Sequence, residues 1–250
     1  MKRNGSRAVF FPRGRIGGRS ATNITAAGLA VVMGLTIGCG IETLPYLEPP
    51  AIGGTEPFPN LQHSTVNTID EFVGYDFYYR FFRDRAAFEQ NPVNTNITGE
   101  SNLVSRGYRR MIARPKTDDH SPAGPILTPP ILLIPDPLKN VPLDFEYELP
   151  DGILQDEPQI LAPAAHAGTI PSLFLMRNVG TPASPEPLSF LEPFSGADQH
   201  DLSAVGLSNI ASLDQITIAL YVIAVGYDLE SFAVIRSTPV FGGLTTFFPN

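Results

Sequence analysis

The sequence predicts an all-β fold, an antiparallel β-sandwich, and three observations support this prediction. Proline accounts for 25 of the 250 residues, without a collagen-like period. Such a composition favours short strands joined by stiff loops. Val73–Phe82 alternates in the manner of a strand, and Gln215–Tyr227 is nearly continuous in apolar and β-branched residues. We expect both segments to be long strands of the sandwich.

The segment Val73–Phe82 (VGYDFYYRFF) shows the clearest two-residue alternation in the chain. Because successive side chains of a strand point to opposite faces, one face is wholly aromatic and is predicted to be core: Tyr75, Phe77, Tyr79 and Phe81. The other face is mixed: Asp76, Tyr78, Arg80 and Phe82. A sheet with one solvated side is expected from this pattern.

The segment Gln215–Tyr227 (QITIALYVIAVGY) is predicted to be a central strand that is buried on both faces. A helix would need a polar stripe at every third or fourth position, and this segment has none. We expect a turn at Leu229–Ser231 to lead to a partner strand at Phe232–Ser237. Val73–Phe82 is expected to pair on its other side.

The remaining elements follow from shorter patterns. Arg83–Gln90 suits a short helical turn that ends before a proline. Leu103–Ala113 is predicted to be a strand near a sheet edge. Leu143–Leu149 alternates apolar and acidic residues, which predicts a half-buried strand with an acidic outer face. Ile170–Val179 is a further predicted strand.

The first forty residues have the features of an export signal. A basic segment, residues 1–20, precedes an uncharged apolar run at Ile24–Ile37. That run is shorter than the roughly 20 residues needed to cross a bilayer, but it suits a signal peptide. Gly38 and Cys39, which follow it, resemble the end of the bacterial lipobox. A signal anchor that is not cleaved and a Cys39 that is buried in the core are the alternative interpretations.

The lipobox resemblance implies a site of modification and a location. Residues 1–38 would be a signal peptide that is cleaved after Gly38. Cys39 would then carry a diacylglyceryl group and an acylated amine, which hold the protein to a membrane of the cell envelope through acyl chains. The expected location is the outer membrane, on its periplasmic or surface side. Two segments of the mature chain, Phe72–Phe81 and Leu220–Pro239, also resemble uncharacterised spirochaete-type lipoproteins, a family without an established activity.

Two segments resemble fibronectin type III modules. Phe72–Phe81 is similar to the third strand of that family, and Leu220–Pro239 to its late hairpin. The resemblance implies an Ig-like sandwich. The expected organisation is a lipidated, proline-rich tether at residues 39–60 and a sandwich at residues 61–250, with a proline-rich insertion around residues 114–165. Alternatively, the end of the tether packs back onto the domain through Tyr46 and Leu47.

The distribution of charged residues along the sequence indicates which classes of partner are disfavoured. Six of the 17 basic residues precede position 20, and all 25 acidic residues follow position 41. Removal of residues 1–38 would therefore leave a strongly acidic protein, which disfavours nucleic acid as a partner. A group of basic residues stands apart in this acidic chain: Arg106, Arg109, Arg110, Arg114 and Lys116. It suits either a charged strand edge or a site for an acidic partner.

Local motifs for catalysis or metal binding are weak. The four histidines, at positions 63, 120, 166 and 200, form no pair with metal-ligand spacing. Asp198–Asp201 and Asp118–His120 are acidic clusters with a histidine, and both are explained more simply as polar loops. The chain has no Gly-x-Ser-x-Gly string and no P-loop. We therefore predict no catalytic residue, no metal site and no cofactor.

Three functional hypotheses follow from these observations. The first is an envelope lipoprotein that binds or scaffolds an envelope or extracellular protein or glycan and is not an enzyme. The second is a carbohydrate-binding module, for which Tyr78 and Phe82 are the candidate aromatic pair. The third is a secreted hydrolase with residues brought together only by folding.

Overall fold

The computed structural model describes residues 46–55, 58–68, 70–90, 96–116, 124–148, 158–181, 184–190, 192 and 215–247. All of them belong to one unit, residues 45–250. The predicted cleavage site at Gly38 and the predicted lipidation site at Cys39 lie outside the described residues.

Two antiparallel sheets account for the described strands, so the predicted all-β sandwich is confirmed. In the described part of the chain, sheet I contains seven strands: β1 (Ala51–Thr55), β2 (Phe58–Gln62), β5 (Ile112–Pro115), β7 (Asp144–Glu148), β8 (Gln159–Leu161), β9 (Leu173–Asn178) and β10 (Pro187–Leu188). Sheet II contains six there: β3 (Phe72–Phe82), β4 (Arg109–Arg110), β6 (Leu132–Leu133), β11 (Ile216–Tyr227), β12 (Val234–Arg236) and β13 (Val240–Phe247).

β11 is the central strand of sheet II, as predicted. One of its edges pairs with β3 along almost the whole length of both strands. Its other edge pairs with β12 at one end and with β13 at the other. The predicted hairpin is confirmed by β12, whereas the longer partner β13 was not anticipated, because its Gly242-Gly243 pair is atypical of a strand.

Strand order agrees with an Ig-like sandwich. Strands β1, β2 and β7 are neighbours in sheet I, and β3, β11 and β13 are neighbours in sheet II. In chain order, these positions correspond to strands A, B and E of one Ig sheet and C, F and G of the other. Sheet I then extends beyond β7 through β8 and β9 to β5.

The main core lies between the two sheets. All four aromatic residues predicted on the inner face of β3 are buried in it, and Phe145 and Tyr147 of β7 face them from sheet I. The rings of Phe77 and Tyr147 have centroids 5.9 Å apart, a contact that joins the sheets. The predicted alternation of Leu143–Leu149 is confirmed, since Phe145 and Tyr147 are buried while Asp144 and Glu146 are exposed.

The outer face of sheet II is also buried, which corrects the prediction of a solvated side. Tyr78 and Phe82 lie in a second apolar cluster with Leu103 and Tyr108 of the segment that follows β3. Phe88 stacks edge-on against Phe82, with centroids 5.3 Å apart. The alternation of β3 therefore identifies the inner face but gives no indication that a third layer covers the outer one.

A short helix confirms the turn predicted at Arg83–Gln90. It is α1 (Arg85–Glu89), and the side chain of Asp84 accepts a hydrogen bond from the backbone N–H of Ala87 at 2.7 Å. Such an N-cap satisfies one of the free donors at a helix start. Two 3-10 helices, at Asp136–Leu138 and Ala164–His166, occur in proline-containing loops.

The prediction of one strand at Leu103–Ala113 is wrong in its first half. Helix α2 (Glu100–Ser105) comes first, and β4 and β5 follow. α2 buries Leu103 and leaves Val104 exposed, so two adjacent apolar residues that suggest a strand belong to a one-sided helix. Since β4 belongs to sheet II and β5 to sheet I, the chain crosses between the sheets at Met111.

The predicted tether does not extend to residue 60. Leu47 is fully buried in the main core, and β1 and β2 form a hairpin in sheet I. The alternative of packing back onto the domain is therefore correct for Leu47, whereas Tyr46 is exposed. The proline-rich stretch at 114–165 is likewise no simple insertion, because it supplies β7, a neighbour of β2.

Candidate binding cleft

A cleft of about 670 Å³ opens beside β4, between α2 and the loop that joins β9 to β10. Its lining combines aromatic, charged and amide side chains, among them Tyr78, Glu100, Tyr108, Arg109, Arg110 and Asn178. Both sheets contribute to the lining, sheet II through Tyr78, Arg109 and Arg110 and sheet I through Asn178 at the end of β9. A concave site of this size with a few polar groups is the usual form of a ligand site.

Glu100, in the first turn of α2, is the centre of a polar network in the cleft wall. One oxygen, Oε1, accepts a hydrogen bond of 2.5 Å from the Tyr78 hydroxyl and another from Arg110. The other oxygen, Oε2, lies 2.8 Å from Nε of Arg236 on β12. The carboxylate therefore ties α2 to three strands of sheet II: β3, β4 and β12.

Arg110 and Tyr78 are neighbours on β4 and β3. The Arg110 Nε donates to the Tyr78 hydroxyl at 2.9 Å, and the guanidinium carbon lies 5.5 Å from the ring centroid of Tyr78. Burial raises the pKa of Tyr78 above its usual value, so the hydroxyl stays protonated and donates to Glu100. The network is thus a fixed set of donors and acceptors.

Asp76 lies beneath this network in the middle of β3 and is only 1% exposed. Its Oδ2 is 3.5 Å from Arg110 Nε, while its Oδ1 is buried and accepts no hydrogen bond from the described residues. Burial raises the pKa of Asp76 to about 6, although Arg110 and Arg236 favour its charged form. The free-energy cost of removing the Asp76 charge from water is larger than the stabilisation that these two cations provide.

The opposite wall of the cleft is fixed by Arg109 and Asn178. The Arg109 guanidinium donates to the carbonyl of Gly180 at 2.6 Å, which links the sheets across the cleft. The Asn178 Oδ1 accepts from the N–H groups of Gly180 and Glu186, both at 3.1 Å. A Cβ at Gly180 would lie 2.2 Å from the carbonyl oxygen of Ser184, so only glycine fits this loop.

The five basic residues singled out from the sequence do not form one charged edge. Arg109 and Arg110 line the cleft. Arg106 instead donates to the carbonyl of Asn96 at 2.9 Å, and Lys116 donates to the side chain of Gln159 at 2.7 Å. The group is separated because Arg106 follows α2, Arg109 and Arg110 form β4 in sheet II, and Lys116 follows β5 in sheet I.

The aromatic pair proposed for carbohydrate binding is not exposed. Tyr78 and Phe82 are both buried under the segment that contains α1 and α2. A flat aromatic ledge at this strand spacing is therefore ruled out on the outer face of β3.

The histidine and metal candidates lie only partly within the described residues. His63 is buried and bonded internally, with Nε2 2.8 Å from the carbonyl of Lys139 and Nδ1 2.6 Å from the Tyr75 hydroxyl. The clusters at Asp198–Asp201 and Asp118–His120 lie outside the described residues. Within the described residues, no three His, Cys, Asp or Glu side chains are grouped as a metal site. No helix in the same residues is long and apolar enough to cross a membrane.

Sequence reasoning missed the Glu100 carboxylate of the cleft lining and the Asp76 carboxylate beneath it. Asp76 interrupts an aromatic strand, and that interruption is the signal that could have marked it as a buried, paired charge. Glu100 gives no such signal, because it meets its partners only through the fold. No protein family model, curated protein or solved structure matches this chain, so fold and geometry are the grounds for a functional proposal.

Proposed function

We propose that the chain is a lipid-anchored cell-envelope protein whose sandwich binds a partner in the cleft beside β4 and performs no catalysis. The anchor is the acyl chains on Cys39, which the lipobox-like sequence supports. The partner is an envelope or extracellular protein or glycan with polar groups that complement the cleft. The net acidic charge of residues 39–250 argues against nucleic acid.

The arrangement of Glu100 is the observation that carries the binding proposal. A general acid or base needs an atom free to exchange a proton with a substrate. Both oxygens of Glu100 already have partners within the protein: Oε1 accepts hydrogen bonds from Tyr78 and Arg110, and Oε2 forms an ion pair with Arg236. A carboxylate held between two guanidinium groups is immobile, which suits a rigid binding surface and not proton transfer.

Photo-crosslinking tests the binding role of the cleft. A benzoylphenylalanine in place of Val104, an exposed residue of the cleft lining, should give an adduct with an envelope component in intact cells. The matched control places the same group at Ala86, an exposed residue of α1. An adduct at position 104 but not at 86 supports the cleft. Equal adducts at both positions, or none at either, would overturn it.

Metabolic labelling tests the anchor. Cells supplied with a palmitate analogue should label the wild-type protein, while Cys39→Ser should lose the label and accumulate uncleaved precursor. A label that persists in Cys39→Ser would show that the lipid is attached elsewhere.

A further inference from the structure

We propose that one end of the sandwich, the anchor pole, rests on the bilayer and inserts apolar side chains among its headgroups. The anchor pole is formed by residues 46–48, the described residues of the β2–β3 turn (63–68, 70 and 71) and the β11–β12 turn (residues 228–233). This inference rests on the proposed lipid anchor at Cys39.

The anchor pole is one structural unit. The backbone N–H of Glu48 donates to the side chain of Asn67 at 2.8 Å, and the Asn67 amide donates back to the carbonyl of Glu48 at 2.7 Å. The N–H of Tyr227 donates to the carbonyl of Glu71 at 2.8 Å. These bonds hold the chain entry and the two turns together at the same end of both sheets.

Exposed apolar side chains are concentrated at this pole. In the described part of the chain nine large apolar side chains are exposed, and six of them lie at the anchor pole or beside it: Tyr46, Val66, Tyr227, Leu229, Phe232 and Val234. Phe232 is 83% exposed and Tyr46 is 69% exposed. Single exposed apolar residues are ordinary, but a group of this size indicates an interaction surface.

The β11–β12 turn holds Phe232 outward at an energetic cost. Phe232 has a φ of 56°, in the left-handed region that bulky residues avoid. The N–H of Phe232 donates to the carbonyl of Asp228, and the N–H of Asp228 donates to the carbonyl of Ala233, both at 2.8 Å. The Asp228 carboxylate accepts from the N–H of Glu230 at 3.0 Å. A strained residue held by such a set of bonds is typical of a functional position.

The short segment between Cys39 and Tyr46 is the reason to propose the bilayer as the partner of this surface. Seven peptide units separate Cys39 from Tyr46, so they span at most about 25 Å. An acyl anchor at Cys39 would therefore keep the anchor pole within that distance of the membrane, at a high effective concentration. Phenylalanine, leucine and tyrosine are the residues that favour the interface between headgroups and acyl chains.

The charge of the anchor pole indicates which kind of lipid headgroup it would contact. Asp70 and Glu230 are exposed there and both are acidic. Anionic headgroups would repel them, so we expect a zwitterionic surface to be preferred.

The absence of tryptophan from the sequence makes a direct test possible. In Phe232→Trp the new indole is the single tryptophan of the acylated protein, reconstituted in phosphatidylcholine vesicles. Lipids brominated near the carbonyl region should quench its emission at least twofold and shift it to the blue. Tyr46→Trp should behave similarly and serves if Phe232→Trp folds poorly. The control is Ala86→Trp. Ala86 lies beyond the end of β3 that is remote from the anchor pole, and the strand itself is about 33 Å long. The indole at position 86 should therefore not be quenched.

The outcomes separate the inference from the anchor proposal. Acylated protein that floats with vesicles while the indoles of Phe232→Trp and Tyr46→Trp remain unquenched would overturn the membrane contact alone. A blue shift that depends on protein concentration and not on bromolipid would also overturn it, in favour of a second copy of the chain. Protein that carries no acyl mass and does not float would overturn the anchor and the inference together.

Discussion

Nε of Arg110 lies 3.5 Å from Oδ2 of Asp76, so the charge in the middle of the aromatic strand β3 has its counter-ion on β4. Burial outweighs this pairing and raises the pKa of Asp76 from 3.8 to about 6. The folded protein therefore binds this proton over a pH range in which the unfolded chain has lost it. Through this group, stability is greatest below pH 4 and is lost as the pH rises through about 6.

Asp76→Asn should remove this pH dependence. The shift of the Asp76 pKa from 3.8 to about 6 corresponds to about 3 kcal/mol of unfolding free energy. Relative to wild type, the variant should gain about that amount between pH 4 and pH 7, as measured by urea unfolding at each pH. A difference that stays constant across this range would mean that Asp76 has an ordinary pKa.

His63 should act in the opposite direction. Its Nε2 faces a carbonyl and must donate, so Nδ1 accepts the proton of the Tyr75 hydroxyl. Burial lowers the pKa of His63 below 6.5, so the native state keeps the ring neutral. The stability that depends on the neutral ring is present above pH 6.5 and is lost as the pH falls through the lowered pKa. As the pH falls, Asp76 therefore adds to the stability of the wild type while His63 subtracts from it.

His63→Phe tests that opposition. The variant keeps the stacking of the ring on Phe72 but leaves the carbonyl of Lys139 and the Tyr75 hydroxyl without their partner. We expect a loss of about 2–4 kcal/mol at pH 7, which becomes smaller as the pH falls. Unfolding free energies at pH 5 and pH 7 measure this change. An equal loss at both values would contradict a neutral, buried His63.

The strands that could be predicted are those whose pattern reflects their own environment. β11 is apolar throughout because both of its faces are buried, and β7 alternates because only one face is buried. The third layer over sheet II was missed because residues 83–108 are mostly polar and contribute few apolar contacts, such as Leu103. The tether was placed too far along the chain because prolines 49, 50, 57 and 59 suggest a linker. In the described strands β1 has no proline, and Pro59 of β2 precedes the residues that pair with β7, so the sheet accommodates it.

The candidate cleft could be predicted only in part. The basic group drew attention to Arg109 and Arg110, which do line the cleft. Their partners are distant in sequence, since Gly180 lies 71 residues from Arg109. A pattern of neighbouring residues does not contain pairings of this kind, because they depend on how the two sheets are aligned.

The two faces of β3 provide a test of register. Phe81 is buried between the sheets, so Phe81→Ala should lower the unfolding free energy by about 3–5 kcal/mol. Arg80 lies on the opposite face of β3, where its guanidinium is 4.8 Å from the ring centroid of Phe82. Arg80→Ala should therefore cost about 1–2 kcal/mol through lost cation–π contact and packing. Chemical denaturation of both variants would contradict the register if Arg80→Ala proved the more destabilising.

Glu100 and Glu89 form a matched pair, since each lies on a short helix and each has an arginine partner. The Glu100 side chain is 23% exposed and faces Arg110 and Arg236, whereas that of Glu89 is 60% exposed and faces Arg85. Glu100→Gln keeps the shape but turns an amide N–H group towards a guanidinium, removes the carboxylate paired with Arg236 and leaves Arg110 with Asp76 as its acidic neighbour. We expect the unfolding free energy to fall by about 2–3 kcal/mol, because breaking a shielded pair leaves unpaired charge.

The control variant, Glu89→Gln, should lower the unfolding free energy by less than about 0.5 kcal/mol, as for an exposed i,i+4 pair. High salt should reduce the small effect and leave most of the larger one, since screening acts mainly on exposed charges. Equal losses for the two variants would mean that Glu100 is an ordinary surface residue and that the cleft wall is not rigid.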